Sequence, residues 1–204
     1  MSVPDRLSVD RLCAGIQPAL IGSEIVVIDQ TPSTNDTIKE MADNGSPEGV
    51  VVFAEHQTAG RGQRASRWES AAHLGLWFSL LLRPQIDVRD SGRLTSWAAR
   101  SVASTIEREC GVLAAVKSPN DVMIENRKVA GVLVEMRAQP GAAHVAILGI
   151  GLNVNQAVAD FPEELRHRAT SLAIATGSRQ DRTALAVALL RDLNDSYPNI
   201  VRLR

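Results

Sequence analysis

The chain has 204 residues, of which 45% are apolar and 22% are charged, and its formal net charge is −1. This length and composition are typical of a soluble globular domain with a sizeable core. The balanced charge argues against the broad basic surface of a DNA-binding protein, and no uncharged apolar run approaches the roughly 18 residues of a membrane span. The two cysteines, Cys13 and Cys110, stand far apart in the sequence. We therefore expect reduced thiols in a cytoplasmic protein that binds neither DNA nor a membrane.

The first third of the chain alternates short strands with a helix. Residues 1–24 carry no secretory signal and form a lead-in. A strand is predicted at 25–28, and a helix over about 34–44 has Ile38 and Ala42 on one apolar face. Ser33 and Asp36 have the spacing of a capping box, with Asp in place of Glu. A second strand at 50–54 leads into a long polar loop over 55–73.

The rest of the chain contains more strands than helices. Apolar residues repeat at three and four positions between Leu94 and Ile106, which predicts a helix that ends at Gly111. Asp181 is expected to cap a last helix that runs to about residue 194. Strands are predicted at 76–82, 114–117, 121–125, 129–137 and 144–153, separated by turn residues. Short turns between neighbouring strands predict an α+β fold, with a mixed or antiparallel sheet and helices packed mainly on one face.

The polar loop has the composition of an anion-binding segment. Gly60 and Gly62 flank Arg61, so the backbone can bend tightly beside a guanidinium group that binds anions in a bidentate manner. Arg64 and Arg67 add cations before Trp68, whose ring can stack on a planar base. Taken alone, the same composition also fits a solvated surface loop.

Two further segments carry candidate ligand contacts. Lys128 stands at the start of a predicted buried strand, where a lysine either faces a pocket or extends along the surface into solvent. Around Asn153, Gly149 and Gly151 allow a ligand to approach the backbone. A third glycine is missing and no helix follows directly, so this is not a dinucleotide-binding fingerprint.

Read together, these segments resemble the biotin–protein ligase family. The family's motifs correspond here to Ser-Thr-Asn at 33–35, the Gly-Arg-Gly loop at 57–68, Lys-Ser-Pro-Asn-Asp at 117–121, Lys-x-Ala-Gly at 128–131 with Glu135, and Gly-x-Gly-x-Asn at 149–153. The resemblance implies that residues 25–204 form a catalytic domain of the biotin/lipoate ligase type, which is related to class II aminoacyl-tRNA synthetases. It also implies ATP-dependent activation of biotin to biotinyl-AMP, and transfer to a lysine of a biotin carboxyl carrier domain. ATP and Mg²⁺ would be required, and a homodimer is possible.

The resemblance also assigns roles to individual residues. The catalytic cations would be Arg61, Lys117 and Lys128, which bring the biotin carboxylate and the α-phosphate together and stabilise the developing charge. Biotin would be bound by Ser33, Thr34, Asn35, Gln57, Gly60, Arg61, Gly62, Gln63, Lys128 and Gly131. ATP would be bound by Arg64, Trp68, Asn120, Asp121 and Asn153, with Asp121 also near Mg²⁺.

The sequence departs from the family at several positions. In the loop, Gln63 stands where the family usually has Arg, Ala65 where it has Gly, and Ser66 where it has Arg or Asn. Ser118 stands where the family has a Trp. We expect neither an N-terminal helix-turn-helix domain nor the small C-terminal β-barrel. Two alternatives remain: a lipoate–protein ligase, and a non-catalytic relative that binds biotin or a carrier domain.

Overall fold

The structure is a computed structural model that describes residues 5–16, 20–139, 141 and 143–201. The described residues form one sheet of seven strands in the order β1-β2-β3-β7-β6-β5-β4. The strands are β1 (Glu24–Thr31), β2 (Val50–Gln57), β3 (Gly75–Leu82), β4 (Ala115–Lys117), β5 (Asp121–Ile124), β6 (Arg127–Arg137) and β7 (Val145–Asn153). The pair β1–β2 is parallel, and the other neighbouring strands are antiparallel. The predicted mixed, largely antiparallel sheet is confirmed.

Helices cover both faces of this sheet, but unequally. They are α1 (Val9–Gly15), α2 (Thr34–Asp43), α3 (Ser91–Cys110), α4 (Leu172–Thr176) and α5 (Arg182–Val201). The larger core lies between the sheet and the helices α3 and α5. On the opposite face, Ile38 and Ala42 of α2 pack with strand residues such as Val52 and Leu81 in a smaller core. Helices therefore lie mainly on one face, and α2 is the exception.

The helix ends match the sequence pattern at some positions and differ at others. Gly111 ends α3 with a left-handed backbone (φ 67°), and the Asp181 carboxylate accepts hydrogen bonds from the first amides of α5. The predicted capping box of α2 is wrong, because the Ser33 side chain makes no cap hydrogen bond and the Asp36 carboxylate binds Arg61 instead. Within the lead-in, α1 forms a short helix that packs against α5.

None of the helices in the described part of the chain combines the length and the apolar character needed to cross a membrane. Cys13 and Cys110 are both free cysteines in the structure.

Candidate active site

The floor of the site is a region of the sheet that has glycine or serine at several neighbouring positions. Because side chains alternate between the two faces of a strand, Gly149 and Gly151 of β7 face the α2 side, where Ile147 is part of the smaller core. The register places Gly151 between Trp77 of β3 and Gly131 of β6. It also places Gly149 beside Ser79 of β3. These small residues leave space on the sheet surface.

The ring of Trp68 occupies one part of this space. A Cβ atom added to Gly151 would lie 2.4 Å from Cε2 of Trp68, and one added to Gly131 would lie 2.9 Å from its Cζ3. The ring of Trp77 contacts the Trp68 ring edge to face, with 6.0 Å between the ring centroids. Both glycines are therefore needed to seat the Trp68 ring, a role that the sequence pattern did not indicate.

Trp68 belongs to a small hairpin formed by residues 60–68. Trp68 donates its amide to the Gly60 carbonyl, and Gly62 donates its amide to the Ser66 carbonyl. The tip is a short 3-10 turn (Gln63–Ala65), in which Arg64 has left-handed backbone angles (φ 55°, ψ 40°). The predicted polar loop is thus shorter than expected, since β2 continues to Gln57, and its glycine-rich part is an ordered hairpin.

A buried polar network lines the space between α2 and the sheet. The Gln57 side-chain carbonyl accepts hydrogen bonds from the amide of Thr34 (2.8 Å) and from its hydroxyl (3.1 Å). Ser79 Oγ lies 2.6 Å from Thr34 Oγ1, and it donates to Asn35 Oδ1, also at 2.6 Å. Ser79 is fully buried, and sequence reasoning missed it because a serine in an apolar strand is an unspecific signal. The network fixes several donors and acceptors at the pocket wall.

These groups surround a first cavity, the inner cavity, with a volume of about 40 Å³. Of the predicted biotin residues, its lining contains Ser33, Thr34, Asn35, Gln57, Arg61, Gly62, Gln63, Lys128 and Gly131. Gly60 lies outside this lining; a Cβ atom there would be 2.7 Å from the Trp68 carbonyl oxygen, so this glycine permits the hairpin to close. A space of this volume holds only a few water molecules, so a larger ligand requires some of the lining side chains to move.

A second, larger space, the outer cavity, has a volume of about 470 Å³. Lys128 and Trp68 line both cavities and therefore stand between them. Lys128 Nζ lies 2.6 Å from Asp121 Oδ1 and 5.3 Å from the centroid of the Trp68 ring. The Lys128 ammonium is thus the cation that a ligand in either cavity can approach.

The predicted ATP-binding residues do not all line the same cavity. Trp68, Asp121, Asn153 and the predicted catalytic residue Lys117 line the outer cavity, whereas Asn120 lines the inner one. Arg64 is exposed at the hairpin tip and lines neither cavity, while Arg67 does line the outer cavity and pairs with Glu69.

The outer wall comes from the connection between β7 and α4. Lys128 pairs through its backbone with this connection, donating to the Arg168 carbonyl and accepting from the Thr170 amide. The Asn153 side chain is also engaged there, since it donates to the Thr170 carbonyl and accepts from Gln156. Sequence reasoning missed the wall residues Phe161, Leu165, His167 and Arg168. Apolar and basic residues within an otherwise polar connection were the available signal.

Replacing Gly151 tests the seat of Trp68. We expect Gly151→Ala to displace the Trp68 ring, because no side chain fits at 2.4 Å from it. Trp fluorescence should shift toward that of a solvated ring, while the circular dichroism of the fold is retained. Gly92→Ala is the matched control, since an added Cβ there has no neighbour within 4 Å. An unchanged spectrum in Gly151→Ala would contradict the proposed contact.

The two adjoining cavities thus share one cation, Lys128, and one aromatic ring, Trp68. The sequence profile of the biotin/lipoate A/B protein ligase family matches residues 27–153. The chain is 36% identical to the biotin–[acetyl-CoA-carboxylase] ligase of Mycobacterium tuberculosis, over 95% of this chain and 73% of that protein. It is 40% identical to the bifunctional ligase/repressor BirA of Bacillus spizizenii, again over 95% of this chain.

Solved structures agree with the sequence matches. The biotin protein ligase of Aquifex aeolicus in complex with biotin and ATP superposes with a TM-score of 0.77 at 30% identity, covering 87% of this chain and 72% of that one. The chain therefore belongs to the biotin/lipoate A/B protein ligase family. It spans 60% of the length of the Bacillus relative.

Proposed function

We propose that this protein activates biotin with ATP to biotinyl-AMP and transfers the biotin to a lysine of a biotin carboxyl carrier domain. The observation that carries the proposal is the pair of adjoining cavities with Lys128 and Trp68 between them. A reaction between a carboxylate and a nucleotide phosphate needs two sites that meet at a cation. The relatives named as biotin ligases support biotin as the acid.

Biotin is proposed to enter the inner cavity with its ureido ring toward α2. Ser33, whose hydroxyl makes no cap bond, is available to a ligand, and Thr34 and Gln57 stand beside it. The polar network holds these groups in place before the ligand arrives, which lowers the entropic cost of binding. The carboxylate end then points toward Lys128 at the junction with the outer cavity.

ATP is proposed to occupy the outer cavity. Trp68 offers an aromatic surface there, and Lys117, Lys128 and Arg168 place positive charge around the space. Asn153, whose amide is held by Thr170 and Gln156, would orient the outer wall. Lys128 would reduce the repulsion between the biotin carboxylate and the α-phosphate and stabilise the transition state.

Mg²⁺ would be held mainly by the ATP phosphates. In the ranges that the structure describes, no three histidine, cysteine, aspartate or glutamate side chains are grouped to hold a metal ion. Mg²⁺ commonly takes only one or two carboxylates together with substrate phosphates and water. Asp121 in the outer cavity lining can supply such a carboxylate. When bound, the ion would neutralise phosphate charge.

Substrate choice separates this proposal from the two alternatives. Lipoate is the second candidate acid, because the matching family includes lipoate ligases. We expect pyrophosphate release with ATP and biotin, and much less with ATP and lipoate. Mass spectrometry should detect biotinyl-AMP, and incubation with a carrier domain should add biotin to its lysine. A preference for lipoate would favour the lipoate ligase, and binding of biotin without any adenylate would favour the non-catalytic relative.

The homodimer and the cytoplasmic location remain predictions.

A further inference from the structure

Arg61, a predicted ligand-binding cation, is held by carboxylates of the protein itself. Its Nη1 and Nη2 atoms donate to Asp36 Oδ2 and Oδ1 at 2.6 and 2.7 Å, a bidentate pair. The Glu135 carboxylate also lies 3.6 Å from Nη2. The guanidinium beside Asp36 holds the pKa of that carboxyl below its usual value. Two carboxylates thus satisfy the charge of Arg61 without a ligand.

The Arg61 backbone lies in the first arm of the hairpin at 60–68. It forms an antiparallel bridge with Arg67, directly before Trp68 in the second arm. Asp36, in contrast, lies in the first turn of α2, an element anchored in the smaller core by Ile38 and Ala42. The ion pair therefore connects the glycine-rich hairpin to a helix that is anchored in a core.

Glu135 connects the same pair to the polar network. Its Oε2 atom accepts a hydrogen bond of 2.5 Å from Asn35 Nδ2, and Asn35 in turn accepts from Ser79. A continuous set of contacts thus runs from the hairpin to the wall of the inner cavity. The position of Arg61 is set by groups on α2 and on β6 together.

We propose that Asp36 is a positioning residue that, through Arg61, holds the hairpin in register over both cavities. On this view Arg61 serves the hairpin, and Lys128, which lines both cavities where Arg61 lines only the inner one of the two, receives the carboxylate of the acid. The consequences for activity rest on the proposed function, whereas the consequence for hairpin order does not.

The alternative role of Arg61 makes the opposite prediction. If its guanidinium bound the carboxylate of the acid, Asp36 would compete with that ligand for the same donors. Removing the Asp36 carboxylate would then free Arg61, and the acid would bind as tightly as before or more tightly. A positioning role instead predicts that loss of either partner weakens binding.

Hydrogen exchange of the ligand-free protein tests the hairpin directly. Asp36→Ala and Arg61→Gln should each speed amide exchange of residues 60–68 about fivefold to tenfold, the range expected for a bidentate but half-exposed pair. Asp43→Ala is the matched control, since Asp43 also lies on α2 and pairs with an exposed arginine, Arg137, at 2.7 Å. If amide exchange of residues 60–68 were unchanged in both Asp36→Ala and Arg61→Gln, the proposal would be overturned.

Steady-state kinetics test the effect of the ion pair on binding of the acid. We expect Asp36→Ala and Arg61→Gln each to raise KM for biotin about fivefold to tenfold, with a smaller effect on kcat, and the double variant to match Arg61→Gln alone. Asp36→Glu should recover part of the loss, and Asp36→Asn replaces Asp36→Ala if the latter does not fold. The proposal would be overturned if KM for biotin were normal or lower in a folded Asp36→Ala protein while it was raised in Arg61→Gln. If the unmodified protein forms no adenylate, the proposed function fails, while the exchange result still decides the positioning role.

Discussion

Lys128→Ala should reduce formation of biotinyl-AMP by about a hundredfold or more while the fold is retained. The side chain lines both cavities, so its ammonium is placed where a carboxylate and a phosphate would meet. Removal of one contact to the charge that develops in a transition state commonly has an effect of about this size. Pyrophosphate release at saturating biotin and ATP is the measurement, with adenylate quantified by mass spectrometry.

The neighbouring arginine supplies the control for this variant. Arg127 pairs with the exposed Glu125 and lines neither cavity, so Arg127→Ala should leave the rate unchanged. Lys128→Arg should retain more activity than Lys128→Ala, because it keeps the charge but not the compact geometry of an ammonium. Near-normal activity in a folded Lys128→Ala protein would show that another group receives the carboxylate.

Arg182→Met should lower the free energy of unfolding by about 3–5 kcal/mol, the usual effect of removing one partner from a buried ion pair. The side chains of Arg182 and Glu55 are only 0% and 2% exposed, and their charged atoms approach to 2.8 Å. Arg182 also donates to the Gly75 carbonyl and to the Asp5 carbonyl, while Glu55 accepts from the Leu7 amide. The pair therefore ties the N-terminal segment, β2 and β3 to the first residue of α5.

Urea unfolding followed by circular dichroism measures this effect. Arg11→Ala is the matched control, because Arg11 and Asp181 form an exposed pair whose loss should cost less than about 1 kcal/mol. Adding Glu55→Gln to Arg182→Met should restore part of the lost stability, since it removes the buried charge that Arg182 neutralises in the unmodified protein. If the free energy of unfolding fell no more in Arg182→Met than in Arg11→Ala, the structural role of the buried pair would be contradicted.

The elements and motifs of this protein could be predicted from the sequence because they depend on residues that are close along the chain. The apolar repeat of α3, its end at Gly111 and the cap at Asp181 each involve neighbours within one or two helical turns. The same holds for the order of the family motifs, which named candidate site residues without knowledge of the sheet. Local patterns failed at the capping box, where a distant arginine competes for the carboxylate of Asp36.

The tertiary structure decided how those residues are brought together. Asp36 and Arg61 are separated by 25 positions, and Glu55 and Arg182 by 127, so no local pattern could pair them. The seat of Trp68 likewise depends on the register of two strands that place Gly131 beside Gly151. The sequence therefore determined which elements form and which chemical groups are present. Long-range strand pairing and packing decided which of those groups meet, because contacts between distant positions depend on the whole fold.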